Sequence, residues 1–294
     1  MLRPSTALEC SSRPAQDIYC TPCLWLPPRR RRVELARLLR VVRMISLTEA
    51  RQTSVATIWG YPVNVANQAQ AVSEIIGAAQ RGEGFTVFTL NLDHLDKLKR
   101  DRSFRAAYAA TRFVTADGAP VALLASRQGR RVERTTGADM IVPLAEAAAE
   151  QNVAVFLFGS SNGVLARAGM YLSERTNYKL NIVGTVSPEQ GFDPESAAAD
   201  AEIDRIAASG ARLCFVALGA PKQEVLAARA VARGVKVGFV FIGAGLDFLV
   251  GAQTHAPEFM QRTGLEWFWR LSTAPRRLAS RYARCFVVLA ELLI

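Results

Sequence analysis

The 294-residue sequence has few of the residues and motifs on which several enzyme classes depend. Its two histidines, His94 and His255, do not stand in a nucleophile, histidine and acid pattern, which argues against a serine or cysteine hydrolase. The sequence contains neither a Walker loop ending in Gly-Lys-Ser/Thr nor a G-x-G-x-x-G motif. These absences weigh against an ATPase and against a dinucleotide-binding enzyme.

Cysteines and long apolar runs are also scarce. The five cysteines are an odd number, and Cys10, Cys20 and Cys23 precede the part with regular periodicity. The sequence therefore predicts no disulfide framework, and it predicts that the core lies in a reducing compartment. Cys20 and Cys23 form a C-x-x-C, but no second pair at zinc spacing follows it, so no metal site is predicted there. No apolar run reaches about 18 residues, so no transmembrane helix is predicted.

The positive charge is abundant and unevenly placed. The net charge is +10 and the pI is near 9.8. Basic clusters lie near both ends: Arg29 to Arg32 with Arg37, Arg40 and Arg43, and Arg270, Arg276, Arg277, Arg281 and Arg284. The middle of the chain is closer to neutral, so the predicted core does not have the charge of a nucleic-acid-binding domain. The charge instead favours phosphorylated substrates or an anionic membrane.

The domain prediction has three parts. Residues 1–45 contain five prolines and the first arginine cluster without a sustained period, and we expect a disordered basic extension there. Met44 opens a more regular sequence and is an alternative start of the protein. Residues 46–263 are predicted to form the core, and residues 264–294 a basic helical appendage.

Apolar runs and helical periods alternate from residue 55 onward. Strands are predicted at Thr86 to Leu90, Phe113 to Ala116, Val153 to Phe158, Leu180 to Val183, Leu213 to Leu218 and Val237 to Ile242. Helices are predicted between them, including one continuous helix through Leu95, Leu98, Phe104 and Tyr108. This pattern predicts an α/β fold with a Rossmann-like, mostly parallel sheet that has helices on both faces.

Polar residues and glycines follow the predicted strands. They occur in five segments: Thr89-Leu90-Asn91, Asp117-Gly118, Gly159 to Gly163, Gly219 to Glu224 and Gly243 to Asp247. In parallel sheets, ligands bind beyond the carboxyl ends of the strands. These segments therefore predict an active site at one edge of the sheet.

The two longer glycine-containing segments suggest a phosphate site. Gly159 to Gly163 leads into a helix whose free N–H groups suit a diphosphate, although a βα turn that binds nothing is an open alternative. Pro221 begins another helix and places Lys222 and Gln223 in its first turn, where they could meet phosphate and sugar hydroxyls. Glu224 in the same turn is also explained by the helix dipole alone.

Asp117 is the candidate carboxylate of this edge. Asp-Gly often marks only a turn. An inverting sugar transfer, however, requires a carboxylate that takes the proton of the attacking hydroxyl. From the residues alone, both interpretations stay open.

Several motifs resemble those of the WecG/TagA/CpsF glycosyltransferases over roughly residues 55–285. They are T-x-N at 89–91, A-D-G at 116–118, E-R-x-x-G at 133–137, F-L-F-G at 156–159, L-G-A-P-K-Q-E at 218–224, G-A-G-L-D-F-L-V-G at 243–251, A-P-E at 256–258 and G-L-E-W-F-W-R-L at 264–271, followed by Pro275-Arg276-Arg277.

The resemblance implies an inverting transfer of an N-acetylmannosamine-type or related hexose from a UDP-sugar to a polyprenyl-diphosphate-linked acceptor in bacterial surface polysaccharide synthesis. By position, Asp117 resembles the catalytic base, and Asp247 falls where the family contacts the nucleotide base. Further expected catalytic residues are Thr89, Asn91, Arg134 and Gln223, and further expected binding residues are Gly159, Ser160, Gly219, Lys222, Gly243 and Gly245. Arg134 is the candidate to steady the leaving diphosphate.

We expect neither a cofactor nor a metal ion. The D-x-D motif with which other transferases hold a metal-bound diphosphate is absent from the sequence. Cationic side chains and helix N-termini would then stabilise the diphosphate charge.

The appendage carries a basic and an apolar stripe. Arg270, Arg277, Arg281 and Arg284 share one helical face beside Leu271, Leu278, Tyr282, Cys285 and Leu289. This arrangement predicts a peripheral contact with the anionic inner face of the cytoplasmic membrane, and a basic helix packed on its own core is the alternative. In the family, this segment resembles a membrane-docking element that competes with self-association, so a homo-oligomer is also considered.

Two rival functions are kept. One is an inactive regulatory or scaffold module that binds a nucleotide sugar, against which the presence of Asp117, Arg134 and Gln223 argues. The other is a nucleic-acid-binding protein, which the absence of interleaved basic and aromatic residues disfavours.

Overall fold

The computed structural model describes residues 55–252, 266–273 and 275–293, except the side chains of residues 266, 267, 270, 273 and 277. The strands are β1 Ala56–Ile58, β2 Tyr61–Val63, β3 Phe85–Leu90, β4 Phe113–Ala116, β5 Val155–Gly159, β6 Ile182–Val186, β7 Leu213–Ala217 and β8 Gly238–Phe241. The helices are α1 Gln68–Gln80, α2 Leu92–Arg100, α3 Arg102–Ala110, α4 Ala119–Ser126, α5 Gly137–Glu150, α6 Asn162–Arg175, α7 Ala197–Ala208, α8 Lys222–Ala232, α9 Gly245–Leu249, α10 Glu266–Thr273 and α11 Pro275–Leu293. The predicted extension over residues 1–45 lies outside these residues.

Six strands form one parallel sheet in the order β4-β3-β8-β7-β5-β6. This confirms the predicted Rossmann-like α/β fold. Strands β5 and β7 are neighbours in the sheet, but the connections that follow them run in opposite directions. The connection after β5 leads to β6 at the edge of the sheet, whereas the connection after β7 leads to β8 nearer the centre. Such a divergence opens a crevice beyond the strand ends, where α/β proteins bind ligands.

Alternation along the strands gives the sheet a core on each face. In β3, Phe88 and Leu90 belong to one cluster, whereas Phe85 and Val87 belong to the other. Successive strand side chains point to opposite faces, so a continuous apolar run fills both cores. The first core is covered by α2, α3, α7 and α8, and the second by α1, α5 and α6.

Three local features differ from the sequence prediction. The continuous helix through Leu95 and Tyr108 is wrong, because the chain breaks at Asp101, whose side chain accepts a hydrogen bond from the backbone N–H of Phe104 and caps α3. The predicted strand at 180–183 begins later, at Ile182. The antiparallel pair β1 and β2 and the short helix α4 were not predicted.

The C-terminal helix α11 packs against α2. Val288 is 1% exposed and belongs to the first core, and Cys285 is buried beside it. Arg281 and Arg284 form ion pairs with Asp93 and Asp96 of α2 at 3.0 and 3.1 Å. The appendage therefore shares part of its core with the sheet domain.

Candidate active site

Most of the predicted site residues lie at or just after the carboxyl ends of β3, β4, β5, β7 and β8, in the strand ends, the loops or the first turns of α8 and α9. Arg134 lies on the segment before α5. The residues of the site form two groups with different contacts. We call Asn91, His94, Tyr108, Asp117, Gln223 and Glu224 the Asp117 side, and we call Gly159, Ser160, Gly243, Gly245 and Asp247 the Ser160 side.

Asn91 connects the ends of β3 and β4. Its side-chain Oδ1 accepts a hydrogen bond from the backbone N–H of His94 and so caps α2, while its Nδ2 donates to Asp117 Oδ2 at 3.0 Å. The backbone N–H of Asp117 donates to the carbonyl of Leu90 at 2.8 Å. The Asp117 carboxylate is thus oriented by a neighbour whose own position is fixed by a helix cap.

Two further predicted residues lie on segments that adjoin β4. Thr89 is buried in β3 and lies opposite Thr115 of β4. Arg134 precedes Thr135, whose backbone N–H donates to the carbonyl of Ala116 at 2.8 Å. The structure therefore places Arg134 on a segment that runs along the end of β4, next to Asp117. Its guanidinium lies 3.3 Å from the carboxylate of Asp139 in the first turn of α5.

Gln223 lies at the start of α8 in a buried polar cluster that the sequence did not predict. Gln223 is 4% exposed, and its Nε2 donates to Glu224 Oε1 at 2.8 Å. Glu224 is 0% exposed, and the same Oε1 lies 3.8 Å from His94 Nε2. The other ring nitrogen of His94, Nδ1, is 2.7 Å from the hydroxyl of Tyr108.

Burial shifts the pKa values of this cluster in opposite directions. Burial lowers the pKa of His94 from 6.5 to about 3, so the imidazole is neutral at physiological pH. Burial raises the pKa of the Glu224 carboxyl from 4.5 to about 7. The pKa of Tyr108 is raised by burial and then by the carboxylates of Glu224 and Asp117. The carboxylates of Glu224, on α8, and of Asp117, at the end of β4, therefore both lie close enough to Tyr108 to raise the pKa of its hydroxyl.

Sequence reasoning assigned no role to His94 or Tyr108. The sequence did contain a signal for Tyr108, because a tyrosine on the buried face of a helix requires a hydrogen-bond partner for its hydroxyl. The partner could not be named, since the predicted single helix hid the break at Asp101 that separates α2 from α3.

Backbone geometry shapes the Ser160 side. Gly159 has a φ of +101°, and a Cβ built there would lie 2.4 Å from the carbonyl oxygen of Ala217. Only glycine allows this close approach of the β5 and β7 ends. Ser160 follows with a φ of +55°, and its hydroxyl donates to Asp247 Oδ2 at 3.3 Å.

The glycine-rich segment after β8 leads into the short helix α9, which packs against α5. A Cβ on Gly245 would lie 2.5 Å from Ile141 Cδ1 and 3.1 Å from Ala138 Cα. Gly245 therefore allows α9 to lie against the beginning of α5, and this places Asp247 beside Ser160. Gly243, with a φ of +52°, forms the turn before it.

Lys222 does not join either group through its amino group. Its Nζ donates to the carbonyl of Phe192, in the loop after β6, at 2.7 Å. Gly219, in the loop after β7, has open space at its Cβ position. The loop continues through a cis Ala220-Pro221 peptide bond into α8. The predicted phosphate contact of Lys222 would require this side chain to leave the Phe192 carbonyl.

Arg281 and Arg284 of α11 form ion pairs with carboxylates of α2. Burial alone would raise the pKa of Asp93, but the charges of Arg281 and Lys97 outweigh burial and hold this pKa below its ordinary value. Asp93 directly precedes His94, which lies in the first turn of α2 beside the Asn91 cap. The C-terminal helix is therefore in contact with the element that orients Asp117. Arg270 and Arg277 have side chains outside the described residues.

Together, the two sides provide an oriented carboxylate, an arginine on a segment along the end of β4, and two strand ends whose close approach requires glycine. One comparison with known proteins gives this arrangement a context. The family model described as "Glycosyl transferase WecG/TagA/CpsF family" matches residues 56–294, which is most of the chain.

Proposed function

The chain belongs to the WecG/TagA/CpsF family of glycosyltransferases, and from this premise we propose a specific reaction for it. A hexose, N-acetylmannosamine-type or related, moves from a UDP-sugar to a polyprenyl-diphosphate-linked acceptor in bacterial surface polysaccharide synthesis. The transfer inverts the anomeric carbon. The observation that carries the proposal is the hydrogen bond from Asn91 to Asp117 at the carboxyl edge of the sheet.

In this reaction, Asp117 is the general base. The acceptor hydroxyl attacks the anomeric carbon while its proton passes to the Asp117 carboxylate. The bond from the anomeric carbon to the diphosphate breaks, and UDP leaves with the electron pair. Asn91 holds one carboxylate oxygen through its Nδ2 and so orients the carboxylate. A positioned base of this kind contributes about 10²–10⁴-fold to the rate.

The charge of the leaving diphosphate needs stabilisation. Arg134 supports this role because its segment runs along the end of β4. The first turn of α6, after Ser160, offers free backbone N–H groups. We propose that these groups act without a metal ion, and transfer should then persist in EDTA. A strict requirement for Mg²⁺ or Mn²⁺ would contradict this part of the proposal.

The direct test combines purified protein, a panel of UDP-sugars and a synthetic prenyl-diphosphate glycolipid, with products detected by mass spectrometry. We expect one UDP-sugar to extend the glycolipid by a single hexose, with inverted configuration in the NMR coupling constants. Binding of a UDP-sugar without transfer to any acceptor would instead favour the regulatory module.

We also propose that the protein works at the inner face of the cytoplasmic membrane. Within the described residues, every helix is too short or too polar to cross a bilayer. Three apolar side chains of α11, those of Phe286, Val287 and Leu293, are exposed and support a peripheral contact. Arg281 and Arg284 have side chains 46% exposed, so their ion pairs leave them open to anionic headgroups.

Point variants test this contact better than truncation, because removing α11 would also remove Val288 from the core. Phe286→Ser with Val287→Ser should weaken sedimentation with vesicles that contain anionic lipid. The matched control is Met170→Ser with Tyr171→Ser, which changes two exposed apolar residues of α6. Equal sedimentation of the two double variants would contradict the docking role. If the Phe286 and Val287 variant changed only the molecular mass of the protein in solution, the two residues would be assigned to self-association.

A further inference from the structure

Two buried polar atoms at the start of α8 have no hydrogen-bond partner among the described residues. They are Gln223 Oε1 and Glu224 Oε2. An unsatisfied buried polar group loses its hydrogen bonds to water without replacement, so its presence calls for an explanation such as a ligand. Both atoms belong to side chains that are more than nine-tenths buried.

The orientation of the Gln223 amide follows from its neighbour. Its Nε2 donates to Glu224 Oε1 at 2.8 Å, which leaves Oε1 as the other end of the amide. An amide oxygen can only accept, so it requires an O–H or N–H group. Sugar hydroxyls and the N–H of an acetamido group both meet this requirement, whereas phosphate oxygens do not.

The Glu224 carboxyl is itself surrounded by a defined set of groups. His94 Nε2 of α2 lies 3.8 Å from its Oε1, and Tyr108 of α3 holds the other ring nitrogen. The charged groups of α2 that act on this carboxyl are Lys97 and Asp93. The side chain of Gln223 is its hydrogen-bonded neighbour on α8 itself.

We propose that Glu224, supported by His94 and Tyr108, is a positioning residue that fixes the Gln223 amide so that Oε1 accepts a hydrogen bond from the donor sugar. This inference rests on the proposed sugar transfer for the identity of the ligand. It assigns to Glu224 and His94 an action through Gln223, distinct from the proton transfer by Asp117.

The arrangement depends on the proton of Glu224. The ionised carboxylate only accepts, so it holds the amide by its N–H and presents Oε1 to the ligand. The protonated carboxyl can donate to Gln223 Oε1 instead, and the turned amide then presents a donor. Because the pKa of Glu224 is raised to about 7, both forms are populated near neutral pH. Sugar binding should therefore strengthen as pH rises through this value.

The first test needs no substrate. The ¹⁵N-labelled side-chain amide of Gln223, assigned by its loss in Gln223→Ala, is followed by NMR from pH 5.5 to 8.5. We expect its resonances to titrate with a midpoint near 7 in the wild type, and the titration to vanish in Glu224→Gln. The exposed Glu150→Gln is the matched control and should keep it. A wild-type amide that does not titrate overturns the inference, even if Glu224→Gln is too unstable to study.

The second test measures ligand affinity by calorimetry at pH 6 and pH 8. The wild type should bind the UDP-sugar several-fold more tightly at pH 8 than at pH 6. Glu224→Gln should bind the UDP-sugar with no such pH dependence. A variant that keeps the wild-type dependence overturns the positioning role. A wild type that binds no UDP-sugar refutes the proposed function instead, and the amide titration still decides the inference.

Discussion

The two sides of the candidate site are built in different ways. On the Asp117 side, buried side chains orient one another through Asn91, His94 and Glu224. On the Ser160 side, the shape comes from glycine backbones, and a single hydrogen bond joins Ser160 to Asp247. The difference suits the two tasks, since proton transfer requires a group held in one orientation, whereas a diphosphate requires space and backbone N–H groups. Substitution of Asp117 should therefore reduce turnover, whereas substitutions on the Ser160 side should reduce donor affinity.

The largest effect is expected for Asp117→Asn. Turnover should fall by about 10²–10⁴-fold because the base is lost, whereas the affinity for UDP should stay within about twofold, a free-energy change of roughly 0.4 kcal/mol. Steady-state rates and calorimetry measure the two quantities. Asp204→Asn, an exposed residue of α7 that pairs with Arg233, is the control. Turnover within a few-fold of the wild type would remove Asp117 from the mechanism.

Gly159→Ala should have the next largest effect. The added Cβ meets the carbonyl of Ala217 at 2.4 Å, and a positive φ costs a further ~1–3 kcal/mol. Urea unfolding should show this loss, and donor affinity should fall with it. Gly163→Ala, four residues later in α6 with open space at its Cβ position, should stay within about 1 kcal/mol. Equal stability of the two variants would refute the close approach of β5 and β7.

The opposed titrations of Glu224 and His94 give the third prediction. The raised pKa of Glu224 contributes stability that is complete below pH 4.5 and is lost as pH rises through about 7. The lowered pKa of His94 contributes stability that is complete above pH 6.5 and is lost as pH falls towards about 3. Between pH 4.5 and 6.5 the two slopes, each about 1.4 kcal/mol per pH unit, oppose each other.

Single substitutions should make each of the two opposed pH dependences of the unfolding free energy measurable. On acidification from pH 6.5 to 4.5, Glu224→Gln should lose about 3 kcal/mol of unfolding free energy relative to the wild type, because only the His94 term remains. His94→Gln should gain a similar amount over the same range. Urea unfolding at three pH values measures both variants against Glu150→Gln. Profiles parallel to that of the wild type would show that the two groups do not titrate as described.

The smallest effect is expected for Ser160→Ala. Loss of its hydrogen bond to Asp247, which is long at 3.3 Å and half-buried, should weaken donor binding by about 0.5–1.5 kcal/mol. Turnover at saturating donor should not change, which sets this side apart from Asp117. Ser209→Ala, at the far end of α7, is the control. A loss of turnover without a loss of affinity would reverse the roles of the two sides.

Local patterns predicted much of this arrangement. The apolar runs that became β3, β4 and β7 were placed to within one residue of their observed ends, because a strand buried on both faces leaves an unbroken signal. The positions of Asn91, Asp117 and Gln223 followed from these strands. Asn91 and Asp117 directly follow β3 and β4, and Gln223 lies in the first turn of the helix after β7. The N-cap at Asp101 was missed because its effect depends on a side-chain hydrogen bond within an otherwise helical pattern.

The partners of the α11 arginines could not be predicted from the local sequence pattern. Their spacing places Arg281 and Arg284 on one helical face, but spacing does not say what that face meets. In the folded chain it meets Asp93 and Asp96, nearly 190 positions earlier in the sequence. The same face can pair with carboxylates or approach headgroups because charge complementarity is not specific to one partner.

Hydrophobic period and turn residues are local properties, so they were enough to predict the six strands of the parallel sheet and the polar segments that follow them. The meeting of Tyr108, His94 and Glu224, and the opposite shifts that burial causes in the pKa values of His94 and Glu224, follow from the three-dimensional fold. Desolvation and Coulomb interactions depend on the neighbours that surround a group, and those neighbours come from distant parts of the chain.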